Sequence, residues 1–162
     1  MAEVQSFKGL KELQEALKLL PDRISKNVLR ASVSAGAAII RKEAKDHAPV
    51  YQEQVQAGHP PSGTLKRAVY QKQINELSNA VKQTFFVGVR AGKKYQKQGK
   101  NGQLSQDAYY ASWIEFGTSK MSARPFMRPA FEGKKTAAVE AIRAYLEKRI
   151  PEEVAKLPGG KK

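Results

Sequence analysis

Few side chains in this sequence could carry out covalent or metal chemistry. The 162 residues include no cysteine and only two histidines, which excludes disulfides, cysteine-ligated zinc and a thiol nucleophile. His47 falls at the end of a predicted helix, where a histidine favours the helix dipole or a solvent contact, and His59 precedes Pro60 in a predicted loop. Neither histidine has the spaced partner that a metal site or a serine–histidine pair requires.

Glu115 is the acidic residue that we weigh as a catalytic carboxylate. The sequence places no second acid beside it, so an ion pair with Arg124 or Arg128 is the favoured interpretation. Residues 93–102 contain lysines and glycines, but they lack the spacing of a phosphate-binding loop. We therefore predict that the protein is not an enzyme and that it has no cofactor and no metal.

Positive charge dominates the middle of the chain. The formal net charge is +14, and residues 60–100 carry nine basic groups against the single acid Glu76. Such a region implies an acidic partner, either nucleic acid or an acidic protein surface, although a solvated face of mobile lysines is equally compatible. Tyr70 and Tyr95 stand among the cations and would allow stacking with bases. No apolar run approaches the roughly 18 residues of a membrane span, so we expect a soluble protein without membrane contact.

Residues 109–132 concentrate the aromatic side chains, including the only tryptophan. Asp107 is a candidate N-cap for a short helix or strand that ends at Gly117. Pro125 and Pro129 then bias the residues before them toward an extended backbone. The segment is predicted to be a bent connector that leads into the last helix.

Two interpretations stay open for this connector. Core packing is favoured over partner contact for Trp113, Phe116 and Phe126, because aromatic side chains contribute large buried areas. Arg124 and Arg128 lie beside prolines in a predicted exposed turn, and arginine is enriched at interfaces.

The elements that must position these residues begin with two helices. Leucines at helical spacing predict a first helix over residues 7–20, with Ser6 as a possible N-cap. Pro21 suits the first turn of a second, long helix that continues to about His47 and is rich in small residues. Ala48-Pro49 ends it.

An antiparallel hairpin is predicted next, with strands over residues 65–74 and 81–89 joined by a turn at 75–80. Its apolar face is expected to lie on the long helix. The opposite face is expected to carry Lys66, Lys72 and Lys82.

Polar composition predicts two long loops, residues 51–63 and 92–106. A final helix is predicted over residues 131–150, with Pro151 breaking it or opening one last turn, and residues 151–162 are expected to form a flexible basic tail. The fold class is therefore α+β: two N-terminal helices, a small antiparallel sheet and a C-terminal helix packed on it, in one domain over residues 1–150.

Several motifs resemble those of a known family. YASWIEFGT at residues 110–118 and RPFMRPA at residues 124–130 resemble the signature of the gene-product-ten-like tail-completion proteins of long-tailed phages, which include the lambda Z minor tail protein type. Ala48-Pro49-Val50 and GTLKR at residues 63–67 also match the family pattern. The resemblance covers most of residues 10–146, and the polar segment between these last two motifs is an insertion relative to the family.

The resemblance implies a structural virion protein of the phage neck, made in the host cytoplasm. It implies a homo-oligomeric ring, expected to have six copies, that joins the tail tube to the head-side connector. Implied neighbours are the tail terminator or tube protein, the connector or stopper, the end of the tape measure protein, and DNA in the lumen.

On this basis we predict two sets of contact residues. The residues expected at the oligomer or partner interface are Trp113, Glu115, Phe116, Arg124, Phe126 and Arg128. The residues expected to face DNA in the lumen are Lys66, Arg67, Lys72, Lys93, Lys94 and Lys97. Two alternatives remain, a tail terminator that caps tube polymerisation and a free-standing cationic nucleic-acid-binding protein.

Overall fold

A computed structural model describes residues 9–18, 20–50, 60–92, 95 and 106–156. The fold is α+β, as predicted. In chain order the elements are α1 (Leu10–Lys18), α2 (Asp22–His47), α3 (Thr64–Ala68), β1 (Val69–Gln73), a 3-10 turn (Asn75–Leu77), β2 (Phe85–Val89), α4 (Ala111–Phe116) and α5 (Met127–Val154). The strands β1 and β2 form a two-stranded antiparallel sheet.

The chain divides into two compact units, each built from separated segments. Unit 1 comprises Met1–Ala37, Gln73–Phe86 and Thr136–Lys162, and unit 2 comprises Ala38–Lys72 and Val87–Lys135. The helices α2 and α5 and both strands contribute residues to both units. The single domain over residues 1–150 stays a prediction.

In unit 1, α1 packs with the first part of α2 and the last part of α5. The core cluster consists of Leu13, Val28, Leu146 and Ile150, with Leu17, Ile24, Ile142 and Val154 packed against it. Gly36 in α2 allows a close helix approach, because a Cβ there would lie 2.7 Å from Ile142 Cγ1 and 2.9 Å from the carbonyl oxygen of Ala138.

Pro151 is predicted to break the last helix or to open one last turn, and the structure shows the second outcome; the prediction of a flexible tail is wrong for residues 151–154. The helix α5 continues through Pro151 to Val154. Ile150 is fully buried on one side of the proline, and Arg149 donates to Glu152 at 2.6 Å and to Glu153 at 2.8 Å across it. Packing and these ion pairs offset the missing backbone donor of the proline.

Unit 2 contains the core on which the candidate site rests. Its buried cluster consists of Ala44, Ala48, Leu65, Ala68, Val69, Ala108, Phe126 and Ala130, with Val87, Val89, Tyr110, Ala111, Ile114 and Met127 packed against it. The apolar face of the sheet therefore lies on the end of α2, as predicted, and the start of α5 packs in the same cluster.

Hydrogen bonds at both ends of the hairpin set its register. Ile74 N–H donates to Thr84 O at 2.9 Å, and Arg90 N–H donates to Ala68 O at 3.0 Å. This register places Val69 opposite Val89. In the connection between the strands, Asn79 Oδ1 accepts from the backbone N–H groups of residues 81 and 82.

The first strand starts later than predicted, because residues 64–68 form the helix α3. Leu65, Ala68 and Val69 are buried, and their i, i+3, i+4 spacing suits a helical turn better than a strand. The side-chain oxygen of Thr64 and its backbone N–H both bond to Pro61 O. Lys66 therefore lies on α3 and Lys82 precedes β2, so only Lys72 lies on a strand, contrary to the prediction for all three.

Other predictions fall outside the described residues. They concern Ser6, residues 51–59 and most of residues 92–106, and the last six residues of the basic tail. Within the part of the chain that the structure describes, no helix is both long and apolar enough to cross a membrane.

Candidate interface surface

The connector, residues 109–132, contains α4, turns sharply at Gly117 and leads into α5. Gly117 has φ 78° and ψ −179°, and a Cβ would lie 2.9 Å from both Met121 O and Ala123 N. Any side chain would meet backbone there, so glycine is required by conformation and by space. Beyond the turn, Thr118 and Met121 form an isolated antiparallel bridge, and Arg124 N–H returns to Ile114 O at 2.8 Å.

The carboxylate of Glu115 caps the start of α5. Its Oε2 accepts from Phe126 N–H at 2.8 Å and Met127 N–H at 3.0 Å, and its Oε1 accepts from Arg128 N–H at 3.0 Å. The first four N–H groups of a helix have no partner within the helix. Here the fourth position is Pro129, which has no N–H, so one carboxylate satisfies the whole set. This cap explains why α5 begins at Met127 rather than at the predicted Phe131.

The cap also sets the charge state of Glu115. Burial alone raises the pKa of this carboxyl, but the hydrogen bonds from Met127, Phe126 and Arg128, with the charge of Arg128, outweigh it and lower the pKa below its ordinary 4.5. The predicted arginine ion pair is replaced by backbone donors, since no salt bridge to Arg124 or Arg128 forms. Glu115 acts as a structural anion.

Asp107 does not cap α4 as predicted. The N-cap of α4 is Tyr110, without a side-chain cap bond. Asp107 is buried and its Oδ1 accepts from Gly92 N–H at 2.7 Å, while Ala108 N–H donates to Arg90 O at 3.0 Å. The carboxylate therefore ties the start of the connector to the end of β2.

Three aromatic side chains form an exposed row on the connector, which we call the aromatic row: Tyr109, Trp113 and Phe116. Their exposed fractions are 51%, 51% and 70%, and the i, i+4, i+7 spacing places them on one helical face. The Tyr109 and Trp113 rings meet edge to face with centroids 5.8 Å apart. The core-packing interpretation therefore does not hold for Trp113 and Phe116.

Phe126 is the exception among the predicted interface aromatics. It is 1% exposed and belongs to the core of unit 2, so its side chain cannot touch a partner while that core is closed. Arg124 and Arg128 are exposed. The structure thus brings a capped helix start, exposed arginines and the aromatic row together in one segment of unit 2.

The cations predicted to face DNA occupy different environments. Lys66 Nζ lies 3.4 Å from Asp46 Oδ1, and the guanidinium of Arg67 donates to Ser62 O and Thr64 Oγ1. Lys72 is exposed on β1. Lys93, Lys94 and Lys97 lie outside the described residues.

A cationic cluster that sequence reasoning missed lies at the end of β2. The Arg90 guanidinium carbon is 4.9 Å from the Tyr70 ring centroid and 6.0 Å from that of Tyr95. The sequence signal was the pair of tyrosines among cations, but the arginine that joins them is distant in sequence from Tyr70. Burial, followed by the charges of Arg41, Arg90 and Lys66, lowers the pKa of Lys45.

The histidines show no catalytic or metal arrangement in the described residues. His47 Nδ1 lies 3.0 Å from Glu43 O at the end of α2, which fits its predicted place near the helix terminus, and His59 falls outside the described ranges. No three His, Asp or Glu side chains converge on a metal position among the residues described.

Unit 1 contains an open apolar groove of about 390 Å³. Its walls include Leu17, Leu29 and Val81, together with Asp22. Val81 is 75% exposed.

One family model matches the sequence. The family described as "Bacteriophage HK97-gp10, putative tail-component" matches residues 11–117. The match includes α4 and ends at Gly117, so the RPFMRPA motif lies beyond it. No curated protein and no solved structure shows a significant match.

Proposed function

Because the chain belongs to the HK97-gp10-like family of phage tail components, we propose that it completes the tail at the neck as a ring of identical copies. Family membership makes it a structural tail protein of a phage, found in the virion. The ring, its expected six copies and its position between tail tube and head-side connector are the proposal. The family match over residues 11–117 is the observation that carries it.

The aromatic row supports a role in assembly. Exposed aromatic side chains next to exposed arginines match the composition of interface centres. The Glu115 cap and the Gly117 turn hold the connector by backbone hydrogen bonds, so the row is presented with little conformational freedom to lose on binding. We propose that Trp113, Phe116, Arg124 and Arg128 contact a neighbouring copy or tail protein.

A closed ring requires each copy to present two different contact surfaces. Head-to-tail contacts between identical chains join two different patches on each copy. The aromatic row would be one patch, and the second must lie elsewhere on the same chain. A polar and charged rim around the row would limit uncontrolled association before assembly.

Electron microscopy of phage particles that lack the protein tests the proposal. We expect filled heads and tails of normal length that remain unjoined. Overlong tails would instead identify the tail terminator alternative. Supplying the wild-type gene in trans should restore joined particles, which controls for effects on neighbouring genes.

A second arm of the same experiment tests the position. Labelled copies of the chain should lie at the head-proximal end of isolated tails. Label along the tube or at the distal tip would overturn the neck assignment and leave the tail-component assignment intact.

A further inference from the structure

Several cations of unit 2 form no salt bridge among the described residues, and three of them lie on or directly after elements that meet in the core of that unit. These three are Arg41, Lys45 and Arg90, which we call the cationic face. Three acids lie near them and have partners of their own: Asp46 pairs with Lys66 at 3.4 Å, Glu43 pairs with Lys134 at 3.6 Å, and Asp107 accepts from Gly92 N–H at 2.7 Å.

The fold brings these three residues together from separate elements. Arg41 and Lys45 lie one turn apart on α2, on the same helical side. Ala44 and Val89 pack in one core cluster, and Lys45 and Arg90 are the residues that directly follow them in the chain. Burial is the main cause of the lowered pKa of Lys45, and the nearby charges of Arg41, Arg90 and Lys66 lower it further, which agrees with this placement.

Arg90 is held in position by its surroundings. Its guanidinium faces the rings of Tyr70 and Tyr95, and one Nη1–H donates to Gln106 Oε1 at 2.8 Å. Cation–π contacts of this kind fix a guanidinium while leaving its other N–H groups to bind a planar or tetrahedral oxyanion. The site thus has an oriented donor beside two further charges.

We propose that the cationic face binds the phosphate backbone of double-stranded DNA. Duplex DNA offers about one negative charge per 1.7 Å of axis, so it can meet several adjacent cations at once. The tyrosine rings already face the Arg90 guanidinium, which favours contact with phosphates over stacking on bases. The inference moves the DNA contact away from Lys66 and Arg67, whose side chains are paired or tied to the loop before α3.

Salt dependence of DNA binding tests the inference on the purified full-length chain. Fluorescence anisotropy with a random-sequence duplex, between about 50 and 200 mM salt, gives the slope of log affinity against log salt. We expect Arg41→Gln with Lys45→Gln to reduce the slope by about two, since each lost phosphate contact reduces it by about one. The matched control, Lys26→Gln with Lys148→Gln, removes the same charge from exposed positions in unit 1 and should leave the slope unchanged.

Two further measurements distinguish a lost DNA contact from a folding defect. Arg41→Lys with Lys45→Arg keeps both charges and should bind with the wild-type slope. In the wild-type chain, the duplex should protect Lys45 from acetylation, read by mass spectrometry, while Lys148 stays reactive.

Defined outcomes overturn the inference. An equal loss of slope in the control variant would mean that net charge alone determines DNA binding. Acetylation of Lys45 in the presence of duplex would show that DNA does not cover the cationic face. Competition by polyglutamate as effective as duplex, at equal charge concentration, would assign the face to an acidic protein instead. None of these measurements requires ring assembly, so failure here leaves the neck proposal standing, and particle microscopy decides that proposal separately.

Discussion

At the scale of single residues, Glu115 connects two parts of the connector that the chain order keeps apart. One carboxylate receives the N–H groups of Phe126, Met127 and Arg128. An anion at this position also meets the positive end of the α5 dipole. The same group that looked like an isolated acid in the sequence is therefore a determinant of where the last helix begins.

Glu115→Gln should lower the free energy of unfolding at neutral pH by about 1–2 kcal/mol, the range for loss of a helix cap. The amide keeps one acceptor oxygen but loses the charge and the second acceptor. Glu140→Gln, at an exposed position on α5, is the matched control and should change stability little. Urea unfolding measures both variants.

The pH dependence of this difference follows from the lowered pKa of Glu115. A carboxyl with a lowered pKa in the folded state stabilises above its unfolded pKa, and that contribution is lost as pH falls through the folded value. The gap between wild type and Glu115→Gln should therefore be full above about pH 5 and shrink below the ordinary value of 4.5. A gap independent of pH from 7 to 3 would contradict the charged cap.

Gly117→Ala should destabilise the protein by roughly 1–3 kcal/mol, the usual cost of a strained backbone position. The methyl group would lie 2.9 Å from two backbone atoms, and φ is positive. Thermal unfolding checks the loss. Ser119→Ala, in the same exposed loop, serves as the control, and wild-type stability of Gly117→Ala would refute the backbone argument.

The position of a single residue could be predicted where it depends only on its neighbours in the sequence. The place of His47 near the end of α2 follows from neighbouring residues alone. The partners of Glu115 and Asp107 could not be predicted, because the N–H groups that they accept belong to residues 11 to 15 positions away along the chain. Only the tertiary fold brings those donors within reach.

At the scale of elements, periodicity located the long helix and the hairpin well. α2 runs over Asp22–His47, between Pro21 and Pro49 as expected. The sequence pattern predicts residues 65–68 as part of a strand, but they belong to α3. The spacing of Leu65 and Val69 fits both the loose alternation of a strand and a helical turn. The sequence left open whether the helix continues past Pro151, because the burial of Ile150 and the ion pairs of Arg149 cannot be seen in a local pattern.

The α2–α5 approach at Gly36 gives an element-scale prediction. Alanine at a free helix position gains about 1 kcal/mol over glycine, but at Gly36 its Cβ would meet Ala138 O at 2.9 Å. The clash should cost more than that gain, so Gly36→Ala should lower the free energy of unfolding. Gly133→Ala, in α5 with nothing within 4 Å, is the control and should stabilise, and the two shifts in urea midpoint should have opposite signs.

At the scale of the whole molecule, the sequence indicates where aromatic residues concentrate but not which of them face the core. The aromatic density of residues 109–132 predicts a segment that must pack in the core or bind a partner, but the helical spacing of its residues does not show which side chains face the core. Phe126 turned to the core and Trp113 and Phe116 to solvent. The orientation of α4 decides this difference. The core contact of Ile114 and the cap made by Glu115 fix that orientation, and the opposite face of α4 is exposed.

Assembly should depend on the aromatic row. Trp113→Ser with Phe116→Ser should abolish higher oligomers in native mass spectrometry while leaving the unfolding free energy within about 0.5 kcal/mol, as for surface changes. Tyr145→Ser with Val139→Ser, on α5 outside the connector, is the comparison pair. Oligomers that persist in the double variant would remove the aromatic row from the proposed interface.

The position of Trp113 gives the protein an optical reporter of its own. It is the only tryptophan in the sequence, and half of its surface faces water. Ultraviolet excitation of the indole ring should give a red-shifted emission in the isolated chain. Any neighbour that covers the ring would move that emission to shorter wavelength, so docking could be followed in real time without attaching a dye.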